Sequence, residues 1–310
     1  MKEMPDNGIK FGLKLPYLTH DGFSQIADLA AHADRLGFHS VWTLDGVCYD
    51  QPSPLISLAA AAGATQRVRL GTAVVLSPLR DPVLLAKDVA SLDVISKGRV
   101  IFGVGVGNRP WDYEACRIPY NNRGAILDEQ IEVLRELWQT GRSDHSGKFY
   151  KLSVRYLGPK PVQQPHPPVW IGSKSGPALE RVAKVATGWI GTAGAPDVWK
   201  ESWAKIVAAC NKTGRDPAEI TPAKLLYISV ASSREEGYQT LRSHLTQYYS
   251  DQGGVPWNLE KGCAWGRPAD CKERIHELVS CGAKVFLTTP IPPSLAHVEV
   301  LWKDVLSDFQ

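Results

Sequence analysis

The sequence predicts an α/β fold, a single (β/α)8 barrel that covers residues 1–310. Short β-rich runs alternate with amphipathic segments along the chain, which is the pattern of a parallel sheet built from βα units. Eight such runs can be counted, and no linker divides the 310 residues into two domains. One large barrel domain accommodates a chain of this length.

The predicted strands are short and mostly apolar, and each is bounded by loop or helix residues. In chain order they are Lys10–Leu15, Ser40–Thr43, Val68–Leu76, Val100–Val104, Val169–Ile171, Gly188–Ile190, Lys224–Ala231 and Lys284–Thr288.

The predicted helices have apolar residues at helical spacing. The first, Phe23–Leu36, places Ile26, Leu29 and Ala33 on one face, and Gly37 ends it as a C′ glycine. The others are about 54–65, a helix after Pro82 that ends near Ile95, and then about 123–140, 177–185, 197–212, 234–249, 269–280 and 295–306.

Two irregular segments interrupt this alternation. Residues 141–168 are polar and contain Phe149, Tyr150 and five prolines, which predicts an insertion that forms a lid or a short hairpin. Residues 250–267 form the second insertion. We expect both at the C-terminal mouth of the barrel, where barrel enzymes have their active sites.

Composition excludes several classes of partner. A formal net charge of +3 is too small to indicate binding to nucleic acid or to an anionic membrane surface. The N-terminus has no signal-peptide core, and the six cysteines form no C-x-x-C pair, which indicates reduced thiols and a cytoplasmic protein. The eight histidines are scattered, so we expect no metal site.

The stretch RVIFGVGVGN, residues 99–108, contains Gly103, Gly105 and Gly107 in alternation. A dinucleotide-binding fingerprint needs a third glycine three residues after the second, so this spacing does not predict a Rossmann fold. The glycines lie at the end of the fourth strand, where they either let the backbone approach a ligand or relieve crowding inside the barrel.

The residues that follow the fifth strand, Gly172, Ser173, Lys174, Ser175 and Gly176, are typical of an anion site. Small residues leave backbone amides accessible, the next helix supplies partial positive charge at its N-terminus, and the lysine adds a full charge. We therefore expect this loop to bind a phosphate. A plain helix cap at Ser175 is the alternative, and both can hold together.

Three blocks, residues 67–108, 158–189 and 266–289, resemble the bacterial luciferase-like family and follow the family's order. That family contains flavin-dependent monooxygenases and oxidoreductases that use coenzyme F-420, an 8-hydroxy-5-deazaflavin. The resemblance implies a (β/α)8 barrel with the cofactor ring at the C-terminal mouth beside the strand-four glycines. It also implies that the loop at 172–176 binds the cofactor phosphate and that the protein is a homodimer.

The resemblance extends to single residues. Some relatives that use F-420 have a cis peptide bond where this chain has Ala73 and Val74, and that bond faces the ring. The alternative is that both are ordinary buried strand residues. Relatives often carry Asp-His where this chain has Asp45 followed by glycine, so Asp45 is expected to bond the ring or the substrate, or else to cap a loop.

Asn108 lies where some relatives have a glutamate that donates a proton. An amide cannot act as a general acid, so this chain needs another donor if the role is kept. The candidates are Tyr17, Tyr49, Asp112 and Tyr113.

Aromatic residues are expected to contact the substrate, although Trp42 could instead be buried in the barrel wall. They are Tyr17, Trp42, Tyr49, Trp111 and Trp257. The sequence thus predicts an oxidoreductase that moves a hydride between a flavin-type cofactor and a small organic substrate, with F-420 favoured over FMN. The alternatives are an FMN-dependent monooxygenase that activates oxygen and a non-catalytic barrel subunit.

Overall fold

The computed structural model describes residues 8–15, 24–250, 254–255 and 258–309. Eight parallel strands form a closed barrel, which confirms the predicted (β/α)8 fold. They are β1 (Lys10–Lys14), β2 (Ser40–Thr43), β3 (Arg69–Thr72), β4 (Val100–Gly105), β5 (Val169–Gly172), β6 (Gly188–Gly191), β7 (Thr221–Val230) and β8 (Val285–Pro290). Each strand pairs with the next along the chain, and β8 pairs with β1 to close the barrel.

Helices surround this barrel. Those of ten residues or more are α1 (Ile26–Leu36), α2 (Pro54–Ala64), α3 (Pro82–Ile95), α4 (Arg123–Thr140), α5 (Gly176–Val185), α6 (Pro196–Thr213), α7 (Arg234–Tyr248), α8 (Pro268–Ser280) and α9 (Leu295–Asp304). Gly37 ends α1 with a φ of 102°, as its sequence position predicts. In the described part of the chain, none of these helices has the length and apolarity that a bilayer crossing requires.

Two tryptophans fill the interior of the barrel. Trp42 on β2 and Trp170 on β5 have ring centroids 5.3 Å apart and are 0% and 5% exposed. Glycines on other strands make room for them: a methyl group at Gly12 or Gly71 would overlap the Trp42 indole, and one at Gly188 would overlap that of Trp170. The interior is therefore a packed core and not a channel.

The glycines of β4 face the backbone and side chains that continue β3. A methyl group at Gly103 would overlap the carbonyl oxygen of Thr72. One at Gly105 would lie only 2.6 Å from a methyl carbon of Val74. These two glycines allow the close approach of a neighbouring strand, which is one of the two roles that the sequence leaves open.

The third strand is shorter than the predicted Val68–Leu76. Regular pairing stops after Thr72, and a separate two-residue strand, Val75–Leu76, pairs with the end of β4. The peptide bond between Ala73 and Val74 is cis, as the family resemblance predicts.

The segment 141–168 contains an antiparallel hairpin in which Ser143–Ser146 pairs with Lys151–Val154. The predicted hairpin is therefore present, but its expected place at the C-terminal mouth is wrong. Gln163 donates a 2.8 Å hydrogen bond to the carbonyl of Val100, where β4 begins. The segment joins the end of α4 to the start of β5, and that connection lies at the N-terminal face of a barrel.

The described part of the second insertion, 250–267, lies at the mouth, as expected. The strand Ala264–Gly266 pairs in parallel with Ile228–Val230 at the C-terminal end of β7. It connects a short helix, Leu259–Gly262, to α8. This segment therefore extends the sheet beyond the barrel rim.

Replacing Gly71 with alanine should destabilise the fold, because the new methyl group would overlap the six-membered ring of Trp42. Overpacking a dense core costs about 1–3 kcal/mol, which urea unfolding can measure. The same substitution should cost less in a Trp42→Phe background, since phenylalanine lacks the overlapping ring atoms.

Gly194→Ala is the matched control, because a methyl group there meets nothing within 4 Å. It should change the free energy of unfolding by less than about 0.5 kcal/mol. Wild-type stability in Gly71→Ala would contradict the packing described above.

Candidate active site

The C-terminal ends of β1, β7 and β8 bring three polar side chains into one layer. Lys14, Tyr227 and Thr289 are 3%, 1% and 1% exposed. Lys14 is on the same strand face as Gly12, which lies against Trp42 inside the barrel. Tyr227 and Thr289 are register partners on neighbouring strands. The Thr289 hydroxyl is buried and has no hydrogen-bond partner. Since barrel enzymes act at this end, the layer marks the candidate active site.

Lys14 is the cation of this layer. Its ammonium nitrogen lies 5.2 Å from the ring centroid of Tyr227 and 5.9 Å from that of Tyr248. Burial lowers the pKa of Lys14 to about 7, because the interior disfavours the charged form. The side chain can therefore gain or lose a proton near neutral pH.

A cluster of tyrosines covers this layer. The hydroxyls of Tyr227 and Tyr249 are 2.9 Å apart, and the rings of Tyr248 and Tyr249 meet edge to face at 4.7 Å. Tyr49, in the loop after β2, donates a 2.7 Å hydrogen bond to the carbonyl of Tyr248. Burial raises the pKa of Tyr248 and of Tyr249, so both phenols stay protonated at neutral pH.

Arg109 connects two loops of the mouth. Its guanidinium lies 4.6 Å from the ring centroid of Tyr49, and its Nε is 3.3 Å from Oδ2 of Asp112. Asp112 in turn accepts a 2.8 Å hydrogen bond from the backbone amide of Cys48. The loops after β2 and β4 are therefore held together by a stacked arginine and a buried carboxylate.

Asp45 holds the segment that continues β3. One carboxylate oxygen accepts a 2.8 Å hydrogen bond from the backbone amide of Leu76, and the other accepts a 2.9 Å bond from Arg80. Asp45 therefore has a structural role, which is similar to the loop cap that the sequence leaves open as an alternative. Its expected contact with a ring or a substrate stays a prediction.

The phosphate loop predicted from the sequence lies between β5 and α5. Ser175 is the N-cap of α5 but makes no side-chain capping bond, which leaves the first-turn amides without that acceptor. The Ser173 hydroxyl is buried with no partner, and Lys174 is exposed beside it. An orphaned hydroxyl, a helix N-terminus and a nearby ammonium fit a phosphate group.

The remaining predicted cofactor contacts surround Val74. A methyl group at Gly172 would lie 2.7 Å from Val74, which also packs against Gly105. Gly107 has a φ of 68°, and a methyl group there would lie 2.9 Å from Leu76. These glycines accommodate side chains of the β3 extension, and their contact with a cofactor ring stays a prediction.

Other predicted site residues are placed differently. Trp42 is fully buried in the barrel core, so its assignment to the substrate surface is wrong in this structure, because Gly12 and Gly71 let the indole point inward. Trp111 is 42% exposed on the short helix Pro110–Ala115, and Asn108 is exposed. Both lie on the rim, where their roles stay predictions.

Two of the predicted substrate residues, Tyr17 and Trp257, lie outside the described residues. Of the proposed proton donors, Tyr113 donates its hydroxyl proton to the carbonyl of Val106, and burial raises its pKa. Tyr113 is therefore not available as an acid in this arrangement. Asp112 is paired with Arg109, and its role stays a prediction.

Sequence reasoning missed Lys14, Arg109 and Thr289. The indication for Lys14 in the sequence is its position in the first predicted strand, two residues after Gly12 and therefore on the same strand face. The contact between Arg109 and Tyr49 joins residues 60 positions apart, which no local pattern reports. Among the described residues, no three His, Cys, Asp or Glu side chains form a group that could hold a metal ion.

A sequence profile of the luciferase-like monooxygenase family matches residues 9–284. The chain belongs to that family. One curated relative is the oxygenase component of a flavin-dependent trigonelline monooxygenase from Acinetobacter baylyi, 33% identical over 158 residues. The match covers 49% of this chain and 43% of that relative, so the chain spans less than half of the relative's length.

Solved structures show the same barrel. The coenzyme F420 dependent tetrahydromethanopterin reductase of Methanopyrus kandleri superposes with a TM-score of 0.84 at 20% identity, over 98% of this chain and 100% of that one. The oxygenating constituent of 3,6-diketocamphane monooxygenase from Pseudomonas putida, in complex with FMN, gives 0.81 at 18% identity, over 97% and 99%. Enzymes with either cofactor therefore share the fold of this luciferase-like protein.

The buried Lys14 predicts a pH dependence of stability. Its pKa is about 7 in the fold, against 10.5 as the ordinary value. Between these pH values the unfolded chain holds a proton that the folded chain has lost, so stability should rise with pH. One such group contributes a slope of about 1.4 kcal/mol per pH unit in that range.

Urea unfolding between pH 7 and pH 10 measures this slope, and Lys14→Met should make it shallower. Lys205→Met, at an exposed lysine on α6, is the control and should keep the wild-type slope. If Lys14→Met also keeps that slope, the lysine is charged in the fold throughout this range.

Proposed function

We propose that this protein transfers a hydride between a bound flavin-type cofactor and a small organic substrate, with coenzyme F-420 favoured over FMN. The observation that supports it best is the loop at the N-terminus of α5. It combines the orphaned Ser173 hydroxyl, an N-cap without a capping bond and the ammonium of Lys174. F-420 is favoured because the G-V-G run that ends β4 resembles the branch of the family that uses it.

The cofactor ring, when bound, supplies the hydride chemistry, and the protein supplies orientation, a dry face and a proton. Val74, which packs against Gly105 and Gly172, offers an apolar surface between the ends of β4 and β5. The half-buried Tyr49 after β2 and Tyr249 after α7 would limit the access of water to the site. Exclusion of water strengthens every electrostatic interaction in the site.

A proton at this site is best held by Lys14. Asn108 cannot donate as an acid, and Tyr49 already donates its hydroxyl proton to the carbonyl of Tyr248. Lys14 Nζ lies within the same layer, and burial lowers its pKa to about 7. An acid whose pKa is close to the working pH is suited to proton transfer.

The second candidate is a flavin-dependent monooxygenase that uses FMN and oxygen. It is favoured by the trigonelline monooxygenase relative, which is flavin-dependent. The same loop would hold the phosphate of either cofactor, so the loop does not discriminate between them.

Titration of the purified protein with F-420 and separately with FMN should separate the two candidates. We expect saturable fluorescence quenching with F-420 at micromolar concentration and weaker binding of FMN. Micromolar binding of FMN with no saturable effect of F-420 would favour the monooxygenase.

Replacing Lys174 with alanine should weaken cofactor binding about five- to thirtyfold, because a charge-assisted contact of about 1–2 kcal/mol is lost. Lys184→Ala is the matched control, since Lys184 lies in the last turn of the same helix. The melting temperature should not change in either variant, because exposed charges add little to stability. Equal affinities of the two variants would mean that the phosphate binds elsewhere.

We also propose a homodimer that forms through α2 and α3. The exposed face of α2 has no charged residue: Ile56 is 72% exposed, and Ala59, Ala60 and Gly63 lie beside it. On the neighbouring α3, Leu84 is 63% exposed. An apolar surface across two adjacent helices is typical of a protein–protein interface.

Ile56→Glu should weaken this dimer at least tenfold, because a carboxylate would be buried at the interface without a partner. Sedimentation velocity over a concentration series measures the dissociation. Val198→Glu, at an apolar residue that is 56% exposed on α6, is the control and should leave the dimer intact. A wild-type protein that sediments as a monomer at micromolar concentration would contradict the proposal.

The cytoplasmic location stays part of this proposal. The structure describes all six cysteines, and within the described residues no disulfide joins any two of them. Reduced thiols are expected where glutathione and thioredoxin operate.

A further inference from the structure

Arg109 has a buried hydrogen-bond donor in the mouth that is available to a ligand. Its side chain is only 13% exposed, its Nε faces Asp112, and its flat face lies on the ring of Tyr49. One terminal nitrogen, Nη1, is buried and has no hydrogen-bond partner among the residues that the structure describes. A buried donor left unpaired is costly, so such a group in a stable fold usually meets a ligand or a water.

The surroundings of Arg109 favour an anion over a neutral group. At this mouth, within the part of the chain that the structure describes, the carboxylates of Asp45 and Asp112 are each paired with an arginine. Lys14, which is partly charged at neutral pH because burial lowers its pKa to about 7, adds a second buried basic group beside the tyrosines. The orphaned hydroxyl of Thr289 adds a further donor in the same layer.

The number of donors limits the kind of anion. Nε of Arg109 lies 3.3 Å from Oδ2 of Asp112, and Nη1 is a nitrogen of this side chain that is both buried and without a hydrogen-bond partner among the described residues. A single buried nitrogen suits one oxygen of a carboxylate better than a phosphate, which needs several donors. The aromatic faces of Tyr49 and Tyr248 suit a flat, partly apolar molecule beside it.

We propose that the substrate of this enzyme is a small organic acid whose carboxylate is bound by Nη1 of Arg109. The proposal rests on the proposed function in that it names the substrate class of the same mouth. Arg109 is then the residue that determines specificity for a carboxylate. Its orientation is fixed in advance by Asp112 and Tyr49.

The test compares benzoate with benzamide, which have the same shape and differ in charge. Isothermal titration of the protein without cofactor should show benzoate binding at least tenfold tighter than benzamide, as expected for a charge-assisted hydrogen bond in a buried site. Arg109→Gln should abolish this preference. Equal binding of the two probes by the wild type, or an unchanged preference in Arg109→Gln, would overturn the proposal.

Arg234→Gln is the matched control. Arg234 also lies over an aromatic ring, that of Trp265, and pairs with Asp270 at 3.0 Å, so its contacts are with the second insertion and α8 and not with the loops after β2 and β4. This variant should keep the wild-type preference for benzoate. If it loses the preference as well, the effect is one of overall charge and the assignment to Arg109 is wrong.

Arg109→Gln also removes the partner of Asp112 and could unfold the loop. Arg109→Lys keeps the charge, and it should retain part of the preference for benzoate if the charge is what binds. A lysine variant that folds and shows no preference would mean that a positive charge alone does not bind the carboxylate. The guanidinium geometry would then have to account for the preference, and Arg109→Gln tests this.

The cofactor titrations keep the two proposals apart. Loss of benzoate preference in Arg109→Gln with normal F-420 or FMN binding supports the carboxylate site alone. Absence of binding by either cofactor, with the benzoate preference intact, would overturn the proposed function and leave the anion site standing.

Discussion

The packing of two indole rings inside the barrel is the constraint on which the rest of this structure depends. An eight-stranded barrel has just enough interior space for side chains, and Trp42 and Trp170 occupy a large part of it. Three facing positions, Gly12, Gly71 and Gly188, must therefore lack side chains. The polar layer adjoins the indoles, since Lys14 on β1 is the register partner of Trp42 on β2.

A second close approach shapes the mouth itself. The chain that continues β3 lies against the alternating glycines of β4, and its Val74 side chain occupies the space that Gly105 and Gly172 leave. Asp45 then fixes this extension by accepting the amide of Leu76. The row of glycines that is so visible in the sequence is therefore required by a neighbouring strand. Any ligand that contacts this part of the mouth meets the extension as well as the glycines.

The sequence predicts the barrel because strand and helix periodicity are local, and nearly every predicted element is found. It fails where the answer depends on distant residues. A tryptophan in a strand can face either way, and only the glycines opposite Trp42 decide that it points inward. Strand β7 begins at Thr221, three residues before the predicted Lys224. A proline is unfavourable inside a strand, so the local sequence does not predict a strand at Pro222. The carbonyl of Pro222 nevertheless accepts a hydrogen bond from the amide of Lys284. The composition of residues 141–168 predicts an insertion but does not indicate at which face of the barrel it lies. Its position between a helix and the next strand does, because such connections lie at the N-terminal face.

The electrostatics of the mouth follow from how its cations are held. Arg80 is neutralised by Asp45 in a direct ion pair, so it adds little field to the site. Lys14 lies instead beside aromatic faces, which attract a cation, but burial lowers its pKa to about 7, so that it loses its charge above neutral pH. Arg109 is held in both ways: its Nε is paired with Asp112, and the flat face of its guanidinium lies on the ring of Tyr49. The tyrosines thus limit the access of water to Arg109 and Lys14, and a lower local dielectric strengthens the attraction between a charged side chain and an anion.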